Sequence, residues 1–185
     1  MVAALWLLAP KSMYADGGKR EFRGAWMQFV NGMYLGKSTA EIQQMLTHQL
    51  DELEKDGANA IIFQVRGECD ALYESKIEPW SRYLTGVQGK APSPYWDPMA
   101  WMIQQCHRRG MEFHAWINPY RVSFPSLYGT DTEKLSKTNP ARRHPEYTVN
   151  FNGALYYNPG LPEVRKLVLS GVEEILDKYD VDGIH

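Results

Sequence analysis

Cysteine is nearly missing from this chain: Cys69 and Cys106 are the only two among 185 residues. Two cannot build a disulfide framework or a cysteine metal cluster, although one pairing stays open. Basic residues are not in surplus either; the formal net charge is −2, and no run of Lys or Arg stands out. Nucleic acid is therefore excluded as the organising partner, and so is stable insertion into a membrane. The apolar run Val2–Ala9 is well short of the roughly 20 residues that span a bilayer. Low-complexity stretches, linkers and solenoid-type repeats are absent. So are a Gly-x-Ser-x-Gly nucleophile signature, a Gly-rich phosphate loop after the first strand, and a helical His-Glu-x-x-His. The five His are scattered, with no His-x-His pair on the first strand. No metal site and no cofactor are expected.

Flat rings, by contrast, are plentiful. The chain has six Trp and eleven Tyr. Most such rings pack cores, but a surplus also suits a sugar cleft, where a ring face meets the apolar face of a pyranose. With 44% hydrophobic residues the chain is long enough for one globular core. At the N-terminus the apolar run is followed by Met13-Tyr14-Ala15 and then Asp16-Gly17-Gly18. This predicts a signal peptide over residues 1–15 with small-residue cleavage after Ala15. A start upstream of Met1 would supply the basic residues the run lacks; a disordered apolar start is the alternative. Export to the periplasm, cell surface or medium follows, without a lipid anchor, since no cysteine lies near the cleavage point.

Hydrophobic periodicity predicts strand, helix, strand, helix, strand, helix, strand. Phe22–Gln28 reads as the first strand. Ser38-Thr39-Ala40-Glu41 is a capping box, and Ile42, Met45, Leu46, Leu50 and Leu53 form one helical face. Ala60–Arg66 is a nearly continuous apolar run, as in a strand covered on both faces. Asp97-Pro98 opens the second helix, with Met99, Met102, Ile103 and Cys106 on its buried face. Residues 111–118 form the third strand. A third helix carries Leu161, Val164, Leu167, Val168, Val172, Ile175 and Leu176, with Asn158-Pro159 as its expected cap and a place in the cleft lining as the alternative. A fourth strand starts at Val181. Loops leaving strand C-termini are long and the returns are short, which favours a (β/α)8 barrel over a doubly wound sheet. The pattern predicts about the first four strands and three helices, so residues 16–185 read as the N-terminal half of a barrel. Such a half leaves an open core face and an unpaired strand edge, and is expected to be poorly stable and inactive alone.

Alternation along the third strand puts His114, Trp116 and Asn118 on one face, with Tyr120 and Arg121 at the rim. The second strand puts Gln64 and Arg66 together. Polar groups inside a barrel are costly without partners, so a polar site is the favoured reading over a satisfied internal network. Glu68 and Asp70, in the following loop, read either as sugar-hydroxyl acceptors or as solvated charges. Asp182 reads as a turn or structural residue.

Five segments stand in order: Glu21-Phe22-Arg23-Gly24-Ala25-Trp26, Gln64-Val65-Arg66, His114-Ala115-Trp116-Ile117-Asn118-Pro119, Asn158 to Arg165, and Asp182-Gly183-Ile184-His185. Together they resemble the glycosyl-hydrolase-like family 10 of bacterial (β/α)8 barrel proteins. The resemblance implies a glycoside hydrolase acting on O-glycosidic bonds of a polysaccharide, with bacterial cell-wall strands among its expected substrates. It also implies that Phe and acidic residues continue the fourth strand, with His185 two positions before a carboxylate. The catalytic acids would then lie after His185. The substrate-binding groups it leaves here are Gln64, Arg66, Asp70, His114, Trp116, Asn118, Tyr120 and His185. A non-catalytic carbohydrate-binding barrel is the alternative, and a metal-dependent hydrolase the weaker one.

Overall fold

The computed structural model describes residues 21–30 and 32–185. The apolar N-terminal run and the expected cleavage after Ala15 lie outside the described residues.

Strand β1 (Gly24–Met27) leads into helix α1 (Thr39–Lys55). Both halves of the capping box form: Ser38 Oγ accepts from the Glu41 amide at 3.3 Å, and Glu41 accepts from the Ser38 amide at 2.7 Å. The helix buries Ile42, Leu46 and Leu50, the stripe its periodicity dictates. All seven residues of β2 (Ala60–Arg66) are buried. The long connection that follows holds the short helix α2 (Arg82–Thr85) and ends at α3 (Pro98–Arg108). Asp97 caps α3 by accepting from the Ala100 amide, and Met99, Met102, Ile103 and Cys106 face inward. Then come β3 (Glu112–Ile117), the one-turn α4 (Pro140–Arg143), the hairpin β4 (Thr148–Phe151) and β5 (Ala154–Tyr157), and α5 (Pro162–Lys178). A two-residue β6 (Gly183–Ile184) closes the order. Both cysteines are free and buried.

The main sheet runs β1-β2-β3-β6, every neighbouring pair parallel. Ile61, Phe63, Val65, Phe113 and Ala115 project from one face into a core with Leu46, Leu50, Met99, Met102 and Ile175. Burial of each such side chain contributes about 1.5–3 kcal/mol, so this face fixes the sheet against its helices. The lopsided connections are as anticipated: 30 or more residues leave β2 and β3 before the next long helix, and only a few return. A parallel sheet with helices on one side and long exits at strand C-termini is the opening arc of a (β/α)8 barrel.

Two local expectations fail. Asn158 does not cap α5; the position before Pro162 is Leu161, without a side-chain cap, and Asn158 Oδ1 instead accepts from the Gly160 amide at 2.9 Å. Leu176 is exposed, because the line of α5 that meets the sheet is Val164, Gly171 and Ile175, narrower than the apolar stripe.

Candidate functional site

In parallel strands, register partners project to the same face. The face away from the helices therefore has a lower tier of Trp26, Ile62, His114 and Gly183, which are in register across the four strands. The next tier toward the strand C-termini holds Gln64 beside Trp116. His185, two residues beyond Gly183, continues that face. This is the end of a barrel where loops assemble a cleft.

Asn118 organises the upper tier. Its Nδ2 donates to the Gly67 carbonyl at 3.1 Å, and its Oδ1 accepts from the Trp116 indole at 3.1 Å. Its own amide donates to the Arg66 carbonyl at 2.9 Å. The exits of β2 and β3 are thus bolted together, with the Trp116 ring held on the open side. Gln64 does the same for the first exit, accepting from the Phe29 amide at 3.1 Å. Trp26, 60% exposed, donates from its indole to His185 Nε2 at 3.2 Å. Tyr120 sits half-buried at the rim, where its carbonyl accepts from the Tyr157 amide. Gln64, Trp116, Asn118, Tyr120 and His185 therefore gather at the C-terminal end.

Three other predicted residues stand elsewhere. Arg66 does not share the face of Gln64. A β-bulge between Gln64 and Arg66 shifts the register so that Arg66 pairs with Ile117, on the helix side. There it is 1% exposed and bridges to Glu78 at 2.5 Å. Burial works against its charge, and the Glu78 carboxylate overcomes that; Glu78 itself is pushed up by burial and drawn back by Arg66. A Cβ on Gly171 would collide with the guanidinium, so α5 carries glycine where Arg66 lies. Asp70 is also wholly buried, beneath the rim. Burial first, then the charge of Glu68, raises its carboxyl to about 8. Glu68, equally buried, is raised to about 7 by burial, with Arg82 opposing at 3.7 Å. His114 lies one tier below Gln64 and Trp116, in register with Trp26, where it meets Glu112 at 2.9 Å and the edge of Phe22.

Sequence reasoning passed over Trp26 as a site residue and Glu78 altogether. Trp26 was within reach, since alternation puts it with Gly24 and Gln28 rather than with the core residue Met27. Glu78 carried no periodic signal. Asp182, expected as a turn or structural residue, holds the base of the sheet: it accepts from the Phe113 amide at 2.7 Å and meets His107 at 2.8 Å. Burial opposes its ionisation, but those two contacts win and keep its carboxyl below the usual range. Among the described residues no group of three or more His, Cys, Asp or Glu could hold a metal ion.

The chain is 44% identical over 170 residues to the glycosyl hydrolase YngK of Bacillus subtilis, covering 90% of this chain and 32% of that protein. It is 39% identical over 147 residues to the glycosyl hydrolase DigH of Escherichia coli K12, covering 77% and 33% respectively. It thus spans about a third of the length of these relatives. Among solved structures it resembles an α-L-fucosidase of Paenibacillus thiaminolyticus, with a TM-score of 0.57, 16% identity, and coverage of 89% of this chain and 23% of that one. A hypothetical protein of Ruminiclostridium thermocellum gives 0.56 at 13% identity, over 86% of this chain and 73% of its own. At those identities the likeness speaks for the fold alone, and it agrees with a barrel arc. The family model for glycosyl hydrolase-like 10 matches residues 21–185, every residue from the first strand to the last, and so this chain belongs to the glycosyl hydrolase-like 10 family.

Proposed function

We propose that this chain forms the binding and positioning part of a glycan cleft in an exported glycoside hydrolase that acts on O-glycosidic bonds of a polysaccharide, bacterial cell-wall strands included. The observation that carries the reading is the upper tier itself. One side of the sheet is apolar apart from the buried Arg66–Glu78 pair, while the other ends in Trp116, Asn118, Gln64 and the Trp26–His185 pair, held open by side-chain hydrogen bonds. A flat ring beside fixed amide and imidazole groups matches a sugar, which has an apolar face and a polar edge. Kinship to proteins named glycosyl hydrolases supports the same chemistry.

Glycoside hydrolysis uses two carboxyl groups, one protonating the leaving oxygen and one acting as nucleophile or base. The carboxyls nearest the strand exits, Glu68 and Asp70, are fully buried and cannot reach a substrate. The reading therefore assigns both acids to residues after His185. Residues here would bind: Trp116 by stacking, Asn118 and Gln64 by shaping the floor, Tyr120 at the rim, and His185 by hydrogen bonding.

The test is release of new reducing ends from purified cell-wall glycan strands and from soluble polysaccharides by the full-length protein. Turnover that survives chelators and falls at least tenfold in kcat/KM for Trp116→Ala supports the reading. Saturable glycan binding without new reducing ends at any pH would instead establish a carbohydrate-binding barrel. Loss of activity with chelators alone would favour a metal-dependent hydrolase.

A further inference from the structure

The other histidine contacts show what is unusual about His185. His107 meets Asp182, His114 meets Glu112 and His144 meets Glu146, each a carboxylate that accepts hydrogen. His185 meets a donor: the Trp26 indole N–H, at 3.2 Å from Nε2. An indole nitrogen only donates, so Nε2 must offer a lone pair. An imidazolium has none, and neither has the tautomer protonated on Nε2. One state of the ring remains, neutral with its proton on Nδ1.

The rings also hold one another sterically. Trp26 and His185 meet edge to face, with centroids 5.5 Å apart and planes at 69°. They come from the first and last strands of the sheet and reach each other across the open face of β2 and β3.

We propose that Trp26 is a positioning residue of the cleft: it fixes His185 as the Nδ1-protonated neutral imidazole, so that His185 meets the substrate as a hydrogen-bond donor to a sugar oxygen. This rests on the reading of the face as a glycan cleft. Trp26 touches no reacting atom; it acts through His185.

The experiment uses the full-length protein labelled with ¹⁵N-histidine, with the His185 signals assigned by their loss in His185→Gln. Wild type should show a pyrrole-like Nδ1 and a pyridine-like Nε2 at neutral pH. Trp26→Phe keeps a ring and removes the N–H; its His185 signals should shift toward a mixture of tautomers, and kcat/KM on glycan should fall about three- to tenfold, the worth of one hydrogen bond. An Nε2-protonated or doubly protonated His185 in wild type overturns the proposal without any variant. An unchanged tautomer in Trp26→Phe overturns it too, as does an altered tautomer with unchanged kinetics. Should wild type turn over no glycan, the cleft reading falls, and the spectra still decide whether Trp26 sets the state of His185.

Discussion

Replacing Asp70 by Asn should stabilise the protein, and by more at higher pH. Asp70 is completely buried, both of its oxygens lack a hydrogen bond of good geometry, and Glu68 adds a second negative charge nearby. Its carboxyl is held at about 8 when folded, against 3.8 as the ordinary value. A raised folded value means that the folded state binds more protons than the unfolded one across that interval, so unfolding free energy falls as pH rises. The full penalty is absent below the ordinary value and complete above about 8. At about 1.36 kcal/mol per pH unit, the loss between pH 5 and pH 9 is of order 4 kcal/mol. Asn removes the charge and keeps the shape. Urea unfolding of both proteins at pH 5, 7 and 9 gives the difference directly, and comparison with wild type cancels the carboxylates that do not interact with Asp70, leaving its coupling to Glu68 within the difference. The advantage of Asp70→Asn should grow from about 1–2 kcal/mol at pH 5 toward several at pH 9. A difference that is flat with pH, or largest in acid, would refute the reasoning and mean that Asp70 is ionised and well paired.

Glu78→Gln leaves the Arg66 guanidinium buried without its countercharge and should cost about 3–5 kcal/mol by chemical denaturation. Asp182→Asn weakens the hold on Phe113 and His107 at the base of the sheet. It should cost about 1 kcal/mol at pH 7. That loss should vanish as pH falls below the ordinary carboxylate range, since a lowered folded value contributes stability only above it. Gly153→Ala places a side chain at φ +76° in the β4–β5 turn, with Pro125 at an ordinary 3.8 Å from the new carbon. The cost is therefore backbone strain of about 1 kcal/mol, read as a lower Tm with no change in glycan affinity.

The parts of the fold legible in the sequence are those where one face of an element is covered continuously. α1, β2, α3 and β3 each show an unbroken apolar stripe, and their buried residues are the predicted ones. The excursion after β3 was read only as a long loop, though it contains α4 and the β4–β5 hairpin. That hairpin had a signal: Asn152-Gly153, both at positive φ, stand between Val149-Asn150-Phe151 and Leu155-Tyr156-Tyr157. Its strands are four residues each, β4 mostly exposed and β5 mostly buried, so neither shows an alternation that would stand out beside the helices.

The candidate site divides along the same line, and Arg66 shows why. Alternation assigns it to the cleft as surely as Gln64, two residues earlier, and nothing in Gln64-Val65-Arg66 announces a bulge. The bulge is selected by groups distant in sequence: Glu78 supplies the countercharge, and Gly171 on α5 leaves the volume that any larger residue would fill. Pointed into the lumen, Arg66 would meet Trp116 and Gln64 without an acid among the described residues there; turned outward, it finds a carboxylate at 2.5 Å. One inserted residue brings the charge to a partner in the core, and an uncompensated buried charge costs several kcal/mol. Asp70 and Glu68, just past that bulge, are drawn under the rim rather than presented to a sugar. Strand periodicity thus assigns side chains to the right face up to the first irregularity and to the wrong one at the residue beyond it. In this chain that boundary falls between Gln64 and Arg66.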